Sequence, residues 1–157
     1  MRNALLLLSM VFAGACGPNV NIATSLQVED LSTGWIDAGV VNGMNKVVPA
    51  VSFKLKNVSD ERLPALHVNA IFRRVNQPEE WGNGFRTVSG SGGLLPGAAT
   101  DTLTINAQLG YTGTDPRDAL LGNSQFVDAK VDLFARYGSA QWTRLGEFPI
   151  TRHLIER

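Results

Sequence analysis

The sequence predicts an all-β protein, an immunoglobulin-like β-sandwich of about seven or eight strands with one short helix in a loop. Three observations lead to this prediction. Apolar and polar residues alternate with the period of a strand in several segments, turn residues separate these segments, and only one segment has the features of a helix. A small β-barrel would show the same alternation and is the alternative fold.

The strands are predicted from residues that alternate between two faces. Since alternate side chains of a strand point to opposite sides, each segment presents one apolar face to a core. A last strand runs from about Trp142 to Thr151. Polar residues alternate with the apolar ones, and we expect Asp128 and Asp132 among them to be solvated. The apolar faces consist of Val51, Phe53 and Leu55; Leu66, Val68, Ala70 and Phe72; Leu103 and Ile105; and Val127, Ala129, Val131, Leu133, Ala135 and Tyr137.

One short helix is predicted between two strands. Asp115 has the residue type of an N-cap, Pro116 follows at the first helical position, and Gly122 ends the segment. The segment is long enough for one or two turns.

Two long connections, 76–94 and 107–125, are the predicted binding loops, because binding residues gather on loops that a rigid scaffold supports. Trp81 lies in a polar, glycine-rich part of the first, and an exposed tryptophan there is typical of a contact with a protein or glycan. Tyr111 lies in the second, and the two are the candidate binding residues. In the alternative interpretation Trp81 folds back to cap the open end of the sandwich. Trp35 and Trp142 are assigned to the core or the sheet edge.

The first fifteen residues have the order of an export signal: a charged start with Arg2, an apolar run at 4–12, and then small residues. The apolar run is shorter than the roughly 20 residues that a transmembrane helix needs. Cys16 follows directly and is the only cysteine of the chain. An exported protein normally pairs its cysteines, so this single thiol at the cleavage point indicates a specific role.

The segment Ala13-Gly14-Ala15-Cys16 resembles the lipobox of bacterial lipoproteins, with Ala13 where leucine is usual. The resemblance implies that the Cys16 thiol receives diacylglycerol and that the chain is cut before it. The alternative is an ordinary secretory signal with a chance cysteine. Gly17 replaces the aspartate that retains lipoproteins in the inner membrane, which favours the outer membrane where there is one. The predicted organisation is a signal peptide at 1–15, a lipidated tether at 16–25 and a β-sandwich at 26–157.

Three further segments, 51–59, 66–72 and 94–97, are together similar to FxLYD-type and related immunoglobulin-like domains of bacterial exported proteins. Phe53 and Leu55 match the first part of that pattern, and Lys56 and Asn57 stand in place of its Tyr-Asp. The resemblance implies the fold and transfers no catalytic residue, since fold alone does not fix activity.

Composition argues against nucleic-acid binding and against disulfides in the domain. Without residues 1–15 the chain keeps 142 residues, with 13 Lys and Arg (Arg2 being lost) against 14 Asp and Glu. This charge of about −1 offers no basic surface for nucleic acid. The domain contains no cysteine apart from the anchor, so its stability depends on its core and its sheets and not on disulfides.

The residues that usually carry catalysis or hold metals are few. His67 and His153 are the only histidines, whereas a zinc site needs three or four ligands. The glycine-rich segment 89–93 has no Lys-Ser or Lys-Thr and no helix after it, so it does not match a phosphate-binding loop. Four of the aspartates could supply oxygens to calcium, but their spacing does not match an EF-hand loop; they are Asp115, Asp118, Asp128 and Asp132. We therefore expect no enzyme, no metal and no cofactor.

The sequence favours a membrane-anchored envelope lipoprotein whose non-catalytic sandwich acts as a structural or protein-interaction module. Its expected partners are the membrane, through lipid on Cys16, and envelope proteins; the oligomeric state stays open. The alternative is a carbohydrate- or small-ligand-binding module that uses the Trp81 loop. A hydrolase with an unrecognised site is the third interpretation, and it requires His67 or His153 beside a serine and a carboxylate.

Overall fold

The computed structural model describes residues 20–155, and they form two antiparallel four-stranded sheets packed face to face. The predicted all-β sandwich is confirmed, and the sheets formed by this part of the chain do not close into a barrel. In chain order the elements are α1 (Ile22–Ser25), β1 (Leu26–Val41), β2 (Met44–Asn57), β3 (Leu66–Arg74), β4 (Glu80–Ser89), β5 (Leu103–Asn106), β6 (Tyr111–Gly113), α2 (Arg117–Gly122), β7 (Ala129–Tyr137) and β8 (Thr143–Pro149).

The first sheet has the order β1-β2-β5. The short strand β6 pairs with the same edge of β2 as β5 does, but nearer the start of β2, at residues 45–47. The second sheet has the order β4-β3-β7-β8. All pairings between these strands are antiparallel. The connections from β2 to β3, from β4 to β5 and from β6 to β7 therefore pass from one sheet to the other, as in Greek-key sandwiches.

The core lies between the sheets and is built by the predicted alternation. In β2, Val51, Phe53 and Leu55 are fully buried, and the residues between them are partly exposed. The predicted apolar faces of β3 and β7 are buried in the same way. Because a shift of one residue would turn each apolar face to solvent, this pattern also fixes the register of the central strands.

The predicted helix is present, but its predicted N-cap, Asp115, is wrong. Pro116 takes the N-cap position with an extended ψ of 150°, and α2 begins at Arg117 without a side-chain cap. Since Pro116 is extended, Asp115 lies outside the first helical turn. Its carbonyl accepts a hydrogen bond from the Asn45 side chain instead.

The predicted loop 76–94 is largely a strand, because β4 occupies 80–89. The glycines that suggested a loop serve the packing of the sheets. A Cβ at Gly84 would lie 2.1 Å from Cγ2 of Ile105, so glycine lets β4 approach β5 of the other sheet closely. The second predicted loop, 107–125, contains β6 and α2.

Residues 20–25, which the sequence assigns to the tether, pack onto the sandwich. Ile22 is buried in the core, and the amide of Val20 donates a hydrogen bond to the Tyr137 hydroxyl at 3.4 Å. Asn21 caps the single turn of α1 with its side chain. The predicted signal peptide, the lipobox and Cys16 lie outside the described residues. No helix within 20–155 is long and apolar enough to cross a bilayer.

The sandwich has two ends with different contents. The amide end contains the start of the described chain at Val20, the buried side chain of Asn57, and the turns at 58–65, 90–98 and 138–142. The aromatic end contains the rings of Trp35, Trp81, Tyr111 and Phe126.

Candidate binding site at the aromatic end

Four aromatic rings from distant parts of the sequence meet at the aromatic end. Trp35 lies on β1, Trp81 on β4, Tyr111 on β6, and Phe126 between α2 and β7. The ring centroids of Trp35 and Phe126 are 4.8 Å apart, those of Tyr111 and Phe126 4.4 Å, and those of Trp81 and Tyr111 5.0 Å. The structure thus brings together the two candidate binding residues and adds two rings to them.

Trp81 does not project from a loop. Its ring is partly buried, packs against the core and meets Trp35 edge-on at a centroid distance of 6.1 Å. The guanidinium of Arg74 lies 5.4 Å from the Trp81 ring centroid, which covers a further part of the ring. This is the arrangement of the capping interpretation.

The hydroxyl of Tyr111 is used within the fold. It accepts a hydrogen bond from the Val127 amide and donates one to the Val127 carbonyl, each at 3.0 Å. This oxygen therefore connects β6 to the segment before β7. Any ligand contact by Tyr111 would have to come from its ring.

A cleft of about 210 Å³ opens beside these rings. The apolar part of its lining is Leu120 of α2 with the rings of Tyr111 and Phe126. The polar part is the hydroxyl of Thr112 with the side-chain amides of Asn123 and Gln125. Typical ligand pockets are larger, about 300–1,000 Å³. With no charged residue in its lining, the cleft fits a small neutral group.

Sequence reasoning placed Trp35 in the core or at the sheet edge, and it lies fully buried in the core. Phe126 was missed because it precedes its strand in an irregular segment, where no periodicity marks a buried position. Trp142, assigned in the same way as Trp35, is 37% exposed just before β8.

The two histidines lie in separate places. His67 on β3 stacks against the ring of Phe85, with centroids 5.3 Å apart. His153 lies in a shallow cleft beside Thr33 and Thr151 that no carboxylate lines. The Thr151 hydroxyl contacts the Thr33 carbonyl and lies 2.8 Å from Nδ1 of His153.

One of the aspartates expected in solvent is buried, and that expectation is wrong. Asp132 on β7 is 6% exposed and pairs with Arg73 at 2.8 Å and with Arg144. These arginines lie on the two strands that flank β7, so they reach the carboxylate from both sides. The hydrogen bond to Asp132 raises the pKa of Arg144. Within residues 20–155, no group of three or more His, Cys, Asp or Glu is arranged to hold a metal ion.

No protein-family model matches this sequence, and no curated protein does. Several solved structures are similar in their chain trace. A structural-genomics target named SoR45 shares 15% identity, with a TM-score of 0.47 over 83% of this chain and 89% of that chain. The putative ApaA protein from Bordetella pertussis shares 13%, with a TM-score of 0.45 over 81% and 93%.

A weaker likeness is to the ligand binding region of serine-glutamate repeat protein A of Enterococcus faecium. It shares 17% identity, with a TM-score of 0.29 over 74% of this chain and 88% of that chain. At such low identities and TM-scores, these likenesses say nothing about a ligand or partner of this chain.

Proposed function

We propose that this chain is an exported envelope lipoprotein, anchored by lipid on Cys16, in the outer membrane where the organism has one. Its β-sandwich is a non-catalytic module that supports the envelope or binds another envelope protein. The order of charged, apolar and small residues before the single cysteine is the observation that carries the anchor.

The position of the first described residues is compatible with such an anchor. Val20 lies only four residues after Cys16, at the amide end of the sandwich. Attachment at Cys16 would leave the aromatic end, with its cleft, at the far side from the lipid. A binding surface there would be open to proteins of the envelope.

Lipid attachment is tested in cells with an alkyne analogue of palmitate. The wild-type chain should incorporate the label, whereas Cys16→Ser should lose it and remain uncut, because the serine cannot take the thioether-linked diacylglycerol. Gly17→Ala keeps the cysteine and serves as the matched control, which should be labelled like the wild type. Labelling of Cys16→Ser would contradict the anchor.

The interaction module is tested by photo-crosslinking in cells from the aromatic end. A photoreactive residue in place of the exposed Gln125 should capture a discrete envelope protein. One in place of Thr104, exposed on the outer face of the first sheet, is the control and should not. If neither position gives a crosslink, the module does not bind a protein through this end.

A carbohydrate or other small ligand is the second candidate, and the cleft beside Tyr111 favours it. Binding on a glycan array should be lost in Gln125→Ala, whose side chain lines the cleft but is exposed, so the fold is kept. Trp81→Ala should lose it too, yet that change also removes core packing. A glycan array without any signal would remove the carbohydrate form of this candidate.

A further inference from the structure

We propose that the amide end of the sandwich docks end-on against the lipid bilayer, with Val58 and Leu95 in contact with lipid. The proposal rests on the lipid attachment at Cys16 proposed above. It adds an orientation and a contact surface, neither of which follows from an anchor alone.

The chain between the proposed anchor and the fold is short. From residue 20 onward the chain is held to the sandwich, since the Val20 amide meets Tyr137 and Ile22 is 3% exposed in the core. Three residues, 17–19, lie between Cys16 and Val20, and the four steps along the chain from Cys16 to Val20 span at most about 14 Å when extended. Lipid on Cys16 would therefore hold the amide end within about that distance of the headgroups.

The amide end exposes two aliphatic side chains. Leu95 is 56% exposed and Val58 is 48% exposed, both in turns. Backbone hydrogen bonds join the turn of Val58 to Ser25 and the turn of Leu95 to Asn57. The Val58 amide donates to the Ser25 carbonyl at 2.9 Å, and the turn after Leu95 is held by the Gly97 amide, which donates to the Asn57 carbonyl at 2.8 Å. These aliphatic side chains therefore stand on a fixed surface next to the tether.

The side of the amide end carries residue types that are common at membrane surfaces. Trp142 is 37% exposed, and the guanidinium of Arg136 lies 4.6 Å from its ring centroid. Tryptophan and arginine both have an apolar body and a polar tip, which suits the boundary between headgroups and acyl chains. Exposed Arg62 lies on the same end but next to exposed Asp60 and Glu61, so the turn adds no net positive charge and the lipid contact depends on the apolar side chains.

The opposite end gives a matched control. Val40 is 63% exposed at the far end of β1, whose other end is Leu26 at the amide end. A strand rises about 3.3 Å per residue, so Leu26 and Val40 are separated by up to roughly 45 Å. An end-on orientation keeps Val40 out of reach of the bilayer.

The experiment uses the full chain, lipidated in cells, purified in detergent and reconstituted in vesicles of phosphatidylethanolamine and phosphatidylglycerol. Leu95→Cys and Val40→Cys each carry an environment-sensitive fluorophore, and brominated lipid serves as the quencher. Because Cys16 is the only native cysteine and its sulfur is bound to lipid, the dye marks only the introduced position. We expect the Leu95→Cys label to lose about half of its emission, since it would lie at the headgroup and acyl boundary, and the Val40→Cys label to lose none.

Mass spectrometry of the same samples separates this proposal from the anchor. If Cys16 carries lipid and the Leu95→Cys label is not quenched, the docking is wrong and the anchor stands. Quenching at both positions means that the domain lies along the membrane and overturns the end-on orientation. If the fluorophore on Leu95→Cys is immobilised in native membranes but is not quenched by brominated lipid in vesicles, a protein covers this surface. That result overturns the lipid contact. A chain without lipid overturns both proposals.

Discussion

The two ends of the sandwich are closed by different kinds of interaction. At the amide end, the side chain of Asn57 is fully buried and donates to the carbonyls of Glu61 at 2.7 Å and Leu94 at 3.0 Å. Its oxygen accepts from the amide and the hydroxyl of Ser59. A single carboxamide thus connects the turn after β2 to the segment before β5.

At the aromatic end, contacts among four rings connect the strands. The Tyr111 hydroxyl adds two hydrogen bonds, both with the backbone of Val127. An aromatic side chain buries roughly 150–250 Å², so ring packing contributes more free energy than one amide. Hydrogen bonds, however, depend on direction and fix the path of a turn more closely than apolar contact does. The comparison predicts that the aromatic end governs global stability and the amide end governs the conformation of its turns.

The largest expected effect comes from removing the central ring of the aromatic end. Trp35→Ala deletes a fully buried side chain that contacts three other rings, and it should lower the free energy of unfolding by about 3–5 kcal/mol. Urea denaturation measures it. Trp142→Ala, which removes an exposed tryptophan, is the control and should cost less than about 1 kcal/mol. Equal losses in the two variants would show that the aromatic end is not the stabilising one.

The next effect is expected at the amide end. Asn57→Ala removes the hydrogen bonds that the buried carboxamide makes to two carbonyls and one amide, and it should cost about 2–3 kcal/mol. Hydrogen exchange should become faster at the amides of residues 59–63, while those of β6 keep their protection. Gln125→Ala, which removes an exposed carboxamide at the other end, is the matched control and should change stability by less than about 0.5 kcal/mol. If exchange rises equally at both ends, the two are not independent.

A smaller change isolates the hydrogen bonds of the aromatic end. Tyr111→Phe keeps the ring and removes only the hydroxyl, so it should cost about 1 kcal/mol in urea denaturation. A loss as large as that of Trp35→Ala would mean that hydrogen bonding, and not ring packing, holds this end together.

The smallest effect concerns charge near each end. The hydrogen bond from Lys54 to Asp30 raises the pKa of Lys54. Because folding raises the pKa of Lys54, its charged form stabilises the fold at pH values below the pKa of the unfolded chain. This stabilisation is lost as the pH rises through the pKa of the folded chain. The urea midpoints of wild type and Lys54→Gln should therefore differ slightly at about pH 8 and converge above about pH 11. Arg117→Gln, which removes the pair with Asp37 near the aromatic end, is the control, because arginine stays charged over this range. Its difference from wild type should not change with pH.

The parts of the fold with one-sided burial were predictable from the sequence. Apolar residues recur at every second position over 51–55 in β2, 66–72 in β3 and 129–135 in β7, and such alternation predicts a strand with its apolar side in a core. The strand β4 was missed because its glycines carry no apolar side chain, although Gly84 allows close packing against Ile105. The strands β1 and β6 were not predicted either. Trp81 and Tyr111 were named as separate candidate binding residues, and the contact between their rings was not foreseen.

The sequence by itself determined the strands with one alternating apolar face, which are β2, β3, β5, β7 and β8, that the domain has no disulfide, and that a single cysteine follows an apolar run. Local composition and periodicity decide these properties, since each depends on neighbours in the chain. Only the tertiary structure decided that Trp35, Trp81, Tyr111 and Phe126 form one cluster, and that Asp132 is buried between two arginines. Contacts between residues far apart in the sequence arise when two sheets pack, and no local pattern encodes which side chains then meet.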